Sequence, residues 1–226
     1  MKGALAGVAR VMVKNGAHPE GEEIPSLDLV RAAQDGNQAA LNDLVDRYYE
    51  RVRRIIRIKL GVNLRRYMDS GDILQGTFIA AVKGFDRFEV RDESSLIHWL
   101  AKIAERQIQD AHDHVTAQKR DRRLEVPLTS PDPESSREVR RELDAMVPSP
   151  SVDVALGEDR ALLDGCLAEL RPEYRDVILL REFEGGSWKQ VAEWMGSPSA
   201  DAARMLYARA LTDLSERVRE RSEGQA

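Results

Sequence analysis

The sequence predicts an all-α protein with two small helical domains joined by a flexible linker, the C-terminal domain being a helix-turn-helix. Apolar residues recur three and four positions apart, and the alternation typical of strands is scarce. The stretch "VPLTSPDPESSREVRRELDAMVPSPSVD" is rich in proline and serine and lacks an apolar stripe, so it separates two helical regions. Near the C-terminus, "GGSWKQVAEWMGSPSADAARMLYARAL" has the pattern of a short helix, a tight turn and a second helix.

Four helices are predicted in the first half of the chain. Ser26 can cap a helix that continues through "DGN" to "LNDLV", and a second helix runs through "YYERVRRIIRIKL" and ends at Gly61. A third helix begins near Ser70, and Ser94 or Ser95 can cap the fourth. We predict a poorly ordered leader at 1–25, a first domain at 26–114, a linker at 115–158, a second domain at 159–221 and a tail at 222–226.

The second domain carries several helix-boundary signals. Pro172 lies where a helix can start, and "EGG" ends that helix. Ser187 and Gln190 have capping-box spacing. Gly196 is expected at a turn position with positive φ, and Ser199 then caps the last helix.

Such a pair of helices is able to bind the DNA major groove. The N-terminal residues of the second helix contact base edges in helix-turn-helix proteins, which makes Arg204 the best candidate, with Lys189 and Arg209 on its flanks. Asp201 would repel phosphate. The alternative is an ordinary helical hairpin in a small bundle.

The stretch "SGDILQGTFIAAVKGFDRF" contains two further candidate features. Asp72, Gln75 and Phe78 are three positions apart and share a helical face, which we expect to meet solvent or a partner. Phe85 and Phe88 lie beside cationic residues, and aromatic rings beside cations are what binding of single-stranded DNA requires. For each ring taken alone, packing in a helical core is the competing interpretation.

Other functional classes find little support. The net charge of −5 argues against a protein that coats nucleic acid by bulk attraction. The single cysteine, Cys166, excludes an internal disulfide and a cysteine-based zinc cluster and is expected to be a buried thiol. His112 and His114 diverge on a helix and match no ligand spacing. We therefore predict no catalytic residue, no metal, no cofactor and no membrane insertion, in a cytoplasmic protein.

The two halves together resemble a bacterial RNA polymerase sigma factor of the extracytoplasmic-function (ECF) type. The resemblance is carried by "DILQGTF", the aromatic-basic loop, "WLAKIAERQIQD", "LRPEYRDVILLREFEGGSWKQVAEWMG" and the Arg-Ala pair that follows, over roughly 26–114 and 160–218. It implies core RNA polymerase and promoter DNA as partners, and an anti-sigma factor as a further partner common in the family.

The resemblance also implies residue roles in three groups. The face that docks on polymerase would comprise Asp72, Gln75 and Phe78. The surface for the minus-ten promoter element would comprise Lys83, Phe85, Arg87, Phe88, Trp99, Lys102, Arg106 and Gln109. The surface for the minus-thirty-five element would comprise Ser187, Lys189, Ser199, Arg204, Tyr207 and Arg209.

Three positions depart from the family pattern. Gly76 stands where an acidic residue is usual, Ala203 where a branched apolar residue is common, and Leu206 where a basic residue often lies. The first bears on polymerase docking and the others on the promoter sequence. Three alternatives stay open: a stand-alone helix-turn-helix regulator, a helical hydrolase or nucleotide-handling protein, and a sigma-like protein that only titrates a partner.

Overall fold

The computed structural model describes residues 25–65, 67–89, 92–121 and 154–223, and within these ranges the regular structure is entirely helical. The all-α prediction is therefore confirmed. The helices are α1 (Ser26–Gln34), α2 (Gln38–Leu64), α3 (Ser70–Gly84), α4 (Glu93–Asp121), α5 (Val154–Glu169), α6 (Pro172–Ile178), α7 (Trp188–Met195) and α8 (Ala200–Glu223). No helix of the described ranges is long and apolar enough to span a membrane.

The first two helices divide differently from the prediction. The chain breaks at Gly36, where φ is 90°, and the Asn37 side chain accepts a hydrogen bond from the Ala40 amide. A single 27-residue helix, α2, then replaces the expected boundary near Tyr48. Gly61 interrupts this helix, as its predicted role requires, with non-helical φ 60° and ψ 177°, and the helix resumes after it and reaches Leu64. The apolar stripe of α2 is fully buried and makes this helix the centre of the first half.

Helices α3 and α4 pack on each other and on α2. Asp69 caps α3 by accepting from the Gly71 amide at 2.8 Å. The cap of α4 is not one of the two predicted serines: Asp92 accepts from the Ser95 amide at 2.7 Å and from both serine hydroxyls. A carboxylate at this position also complements the positive end of the helix dipole.

The C-terminal helices follow their predicted signals closely. Pro172 occupies the first turn of α6, which continues as a π-helical turn, Leu179–Phe183. The predicted capping box of Ser187 and Gln190 begins α7, and Gly196 ends it with φ 65°. The Ser199 hydroxyl accepts from the Ala202 amide at 3.1 Å and so caps α8.

Helices extend into both ends of the predicted linker. Helix α4 runs to Asp121, beyond the expected end of the first domain at 114, and α5 begins at Val154, five positions before the expected start of the second. The leader at 1–24 and most of the linker, 122–153, lie outside the described residues. Helix α5 packs directly against α2, so the two halves share one continuous apolar core.

Candidate nucleic-acid interface

The three predicted docking residues of α3 lie partly at the surface and partly in the core. Asp72 is exposed in the first turn and Gln75 is half-buried. Phe78, however, is 4% exposed and stacks on Tyr49 with ring centroids 5.9 Å apart. The expectation that all three share an accessible face is wrong for Phe78, because its ring fills the space between α3 and α2. The accessible part of this face is formed by Asp72 and Gln75.

Gly76 lies beside the exposed part of that face, where α3 passes α4. A Cβ atom built on Gly76 would lie 2.7 Å from Gln107 Oε1, the far end of a flexible side chain. A Cβ atom at this position therefore requires that the end of the Gln107 side chain swing aside. Backbone atoms of neighbouring residues therefore do not exclude a Cβ atom at position 76.

Three aromatic rings meet where α3 ends and α4 begins. Phe88 and Trp99 have centroids 4.9 Å apart and are both half-buried, and we call this pair the aromatic shelf. Phe85 lies beneath the shelf, 6.2 Å from Trp99 and only 7% exposed. Both interpretations of the sequence thus apply: Phe85 packs in the core, while the shelf keeps ring surface accessible.

The loop that carries the shelf is anchored by a residue the sequence reasoning missed. Gln34, the last residue of α1, donates from Nε2 to the carbonyl oxygens of Phe85 at 3.1 Å and Phe88 at 2.8 Å. One side chain thereby fixes both ends of the short 3₁₀ turn. A glutamine at the end of an amphipathic helix carries no sequence signal for a partner more than fifty residues away.

A polar stripe extends from the shelf along α4. Lys102, Arg106 and Gln109 are exposed and follow Trp99 at helical spacing, so they lie along one side of the helix. Lys83 and Arg87 are exposed at the other edge of the shelf. Lys102 pairs with Glu105 at 2.8 Å, but more than half of its side chain remains exposed. The structure therefore places the half-buried rings of the shelf beside exposed cations.

The helices α7 and α8 present the second predicted group. Lys189, Ser199, Arg204 and Arg209 are exposed, and Ser187 is exposed at the start of α7. Arg204 Nη1 pairs with Asp201 Oδ1 at 2.7 Å, one helical turn earlier. Both side chains of this pair are more than half exposed, so the ion pair is weak and open to competition by a phosphate.

Tyr207 has a structural role within this group. Its hydroxyl donates to Glu182 Oε1 at 2.6 Å, and its ring meets Trp188 edge-on with centroids 5.2 Å apart. Burial, reinforced by the hydrogen bond to Glu182, raises the pKa of Tyr207 well above its usual range. The side chain thus ties α8 to the turn before α7, instead of pointing freely away from the helix.

Catalytic and metal-binding features are sparse in the described ranges. They contain no cluster of three or more histidine, cysteine or carboxylate side chains able to hold a metal ion. Cys166 is fully buried, as expected, and burial raises the pKa of its thiol. The histidines at 112 and 114 are both exposed on α4.

Comparisons with known proteins identify the family. A family model described as ECF sigma factor matches residues 26–218. The chain is 28% identical to the ECF RNA polymerase sigma-E factor of Haemophilus influenzae over 186 residues, covering 82% of this chain and 92% of that protein. It is 28% identical over 198 residues to the proteins of the same name from Salmonella typhimurium and Escherichia coli, covering 85% of this chain and 94% of each.

Among solved structures, the chain matches the structure of CnrH in complex with the cytosolic domain of CnrY. That match has a TM-score of 0.48 and 22% identity, and it covers 84% of this chain and 95% of that one. The family model spans both helical halves and the segment between them. This chain belongs to the ECF sigma factor family, whose members are transcription initiation factors.

Proposed function

We propose that this chain binds core RNA polymerase and directs it to promoters by contacting two separate DNA elements. The single observation that carries the proposal is the aromatic shelf of Phe88 and Trp99, continued by the exposed stripe of Lys102, Arg106 and Gln109. Ring faces stack on unpaired bases of any sequence, and neighbouring cations hold the phosphates. We assign this surface to the melted minus-ten element.

Promoter opening follows from the accessibility of the shelf. A base must leave the helical stack before it can lie on Phe88 or Trp99, and unstacking costs a few kcal/mol. A surface that binds only the unstacked base returns part of that cost and so favours the melted state. Gln34 contributes by fixing the loop, because a preformed shelf loses less conformational freedom when the base binds.

The other two surfaces determine where the complex forms. We assign polymerase docking to the accessible part of α3, which comprises the exposed Asp72 and the half-buried Gln75. We assign the minus-thirty-five element to the start of α8, where Arg204 is exposed and Ser199 caps the helix. The resting partner of Arg204, Asp201, holds it near the helix end until a phosphate or base edge replaces the carboxylate.

The acidic net charge is consistent with a chain that makes specific DNA contacts while polymerase supplies the nonspecific attraction. Nonspecific DNA affinity comes mainly from neutralised phosphates, and this chain has more acidic than basic side chains. Polymerase would supply that attraction, and the chain would supply the specific contacts. We assign no covalent chemistry to the chain itself.

The test is run-off transcription with bacterial core polymerase on a genomic fragment library, with and without the protein. We expect discrete start sites that depend on the protein and share two upstream elements. Tight binding of duplex DNA by the protein alone, with no new starts, would instead identify a stand-alone regulator. Competition for polymerase with no starts would identify a protein that titrates its partner.

A further inference from the structure

Two guanidinium groups lie over the indole of Trp188, the first residue of α7. The Cζ atom of Arg181 lies 4.7 Å from the ring centroid, and the Cζ atom of Arg204 on α8 lies 5.8 Å from it. Both distances are within the range of a cation–π contact, in which the negative face of the ring attracts the cation. Trp188 therefore links the proposed DNA-binding residue of α8 to the segment that precedes α7.

The indole is itself held in place by two consecutive residues of the π-helical turn. Arg181 lies over the ring and also donates from Nη1 to the carbonyl oxygen of Gly186 at 2.7 Å. Glu182 accepts a hydrogen bond from the Tyr207 hydroxyl at 2.6 Å, and the ring of Tyr207 meets Trp188 edge-on. These contacts are made within the free protein, so the position of the indole is fixed before any DNA binds.

The guanidinium of Arg204 has two neighbours that restrain it in different ways. Asp201 accepts from its Nη1 atom at 2.7 Å, whereas Trp188 contacts it through a ring face. An ion pair occupies the N–H donors that a base edge would also use, but a cation–π contact consumes none of them. Even with both neighbours in place, 54% of the Arg204 side chain is exposed. DNA must therefore displace Asp201 to bind Arg204, while Trp188 can remain in contact.

We propose that Trp188 is a positioning residue that holds Arg204 ready to contact a base of the minus-thirty-five element. Arginine has a long side chain with many rotamers, and restricting them before binding lowers the conformational freedom lost on binding. Arg181 and Tyr207 act one step further away, by fixing the indole. This inference rests on the proposed function, because it takes Arg204 as the residue that contacts the element. It requires no contact between Trp188 and DNA.

A purely structural role for Trp188 predicts a different dependence on Arg204. Loss of packing at the start of α7 would disturb the whole surface, including Lys189, Ser199 and Arg209, whether or not Arg204 is present. A positioning role acts through Arg204 alone. Removing the ring from a protein that already lacks this arginine should then weaken DNA binding no further. A double-mutant cycle on these two residues separates the two roles.

The cycle combines Trp188→Leu, which keeps an apolar side chain but removes the ring, with Arg204→Ala. Binding of the complex with core polymerase to a promoter fragment from the run-off experiment is measured for each variant. Trp188→Leu should weaken binding about three- to fivefold in the presence of Arg204 and cause no further loss in the Arg204→Ala background. Trp188→Phe keeps a ring and should retain most of the affinity. The positioning role is overturned if Trp188→Leu causes the same loss in both backgrounds, or if Trp188→Phe loses as much as Trp188→Leu.

Trp194→Leu is the matched control for the cycle. It makes the same change in the same helix, at a ring that stacks on His98. Any loss of DNA binding that it causes comes from packing and should be equally large with and without Arg204. A control that shows the same dependence on Arg204 as Trp188→Leu would overturn the assignment, because the effect would then not be specific to the ring at position 188.

NMR of the free wild-type protein tests the contact without a promoter and without any variant that could fail to fold. We expect nuclear Overhauser effects between the side-chain protons of Arg204 and the indole protons of Trp188, together with an upfield ring-current shift of the Arg204 Cδ protons. Their absence would overturn the positioning role whatever the variants do. A protein that shows this contact but directs no transcription would refute the promoter assignment instead, so the two failures are distinguishable.

Discussion

The imidazole of His98 lies flat on the indole of Trp194, with ring centroids 3.9 Å apart and planes 5° from parallel. The Nδ1 atom of the same ring lies 2.6 Å from Glu184, a carboxylate with only 2% exposure. His98 is on α4, Trp194 is on α7, and Glu184 directly follows the π-helical turn Leu179–Phe183. A single histidine therefore joins the two halves through both a stacking contact and a hydrogen bond.

Trp194→Ala tests how much this contact contributes to the free energy of unfolding. The substitution removes the stack and the packing of the indole on Gly186, where an added Cβ would lie 2.6 Å from the ring. We expect the free energy of unfolding to fall by about 2 kcal/mol, measured by urea denaturation. Met205→Ala, at an exposed position of α8, should change it by less than about 0.5 kcal/mol. Equal effects of the two substitutions would mean that the stack contributes nothing in solution.

Substitutions at Phe88 and Phe85 should affect different properties, DNA binding in the first case and stability in the second. Phe88→Ala should reduce binding of a melted minus-ten fragment by the polymerase complex about tenfold, because one stacked base is worth about 1–3 kcal/mol. Phe85→Ala should instead lower the free energy of unfolding by about 3 kcal/mol, because its ring is buried. Fragment binding and thermal unfolding of both variants provide the measurements. The shelf assignment fails if Phe88→Ala binds the melted fragment as wild type does.

Local signals in the sequence were sufficient to predict much of the fold. The capping box of Ser187 and Gln190, the positive φ of Gly196 and the start at Pro172 depend on neighbouring residues alone, and all three are present. Gly61 shows the limit of such reasoning. Its φ of 60° and ψ of 177° are non-helical, as expected of a helix-ending glycine, yet the helix resumes after it and reaches Leu64.

Contacts between distant parts of the chain were not predictable from the sequence. Gln34 and Arg54 have partners more than fifty and one hundred residues away, respectively, and nothing in their neighbourhoods indicates those partners. The burial of Phe78 was also not predictable from the spacing of residues. A spacing of three places residues on one helical face but does not show which part of that face another helix covers. Here the packing of Phe78 on Tyr49 buries its ring.

Gly76 offers a test of polymerase docking that adds a side chain instead of removing one. Gly76→Glu introduces the acidic residue that the resemblance leads us to expect there, and the nearest atoms to its Cβ belong to the flexible end of Gln107. We expect the variant to compete for core polymerase about three- to tenfold better than wild type, measured against a second sigma factor. Gly76→Ala is the matched control and should gain helix stability, up to about 1 kcal/mol, without gaining affinity. An unchanged affinity of Gly76→Glu would place the docking surface elsewhere.

The pair of Arg204 and Asp201 predicts opposite effects of two neighbouring substitutions. Arg204→Ala should lower promoter use about tenfold through loss of a base contact. Asp201→Asn should raise it about two- to threefold, because it removes a charge that repels phosphate and competes for Arg204. The Arg204→Ala loss should vanish on a promoter whose minus-thirty-five element is scrambled, whereas the Asp201→Asn gain, which comes from weaker repulsion of phosphate, should persist there. An Arg204→Ala loss of the same size on the scrambled promoter would contradict base contact with that element.

The carboxylate of Glu105 predicts how acid affects stability. Burial would raise the pKa of Glu105, but the ammonium of Lys59 and the contact with Lys102 outweigh burial and lower it. The unfolded chain, in which Glu105 has its ordinary pKa, therefore binds more protons in acid than the folded chain. The stabilisation is present above about pH 4.5 and is lost as pH falls through the lower pKa of the folded state.

Lys59→Met isolates this effect, because it keeps the bulk of the side chain and removes the charge nearest Glu105. Between pH 5 and pH 3, we expect the free energy of unfolding to fall less in the variant than in wild type. The two losses should differ by at most about 1 kcal/mol, because the carboxylate is partly exposed. Urea denaturation at several pH values measures the slope. Lys102→Met is the control, because Lys102 is more exposed and should change the slope less. If the slope of Lys59→Met equals that of wild type, Lys59 does not depress the pKa of Glu105, and the ion-pair bridge from Glu105 on α4 through Lys59 to Asp176 on α6 loses its support.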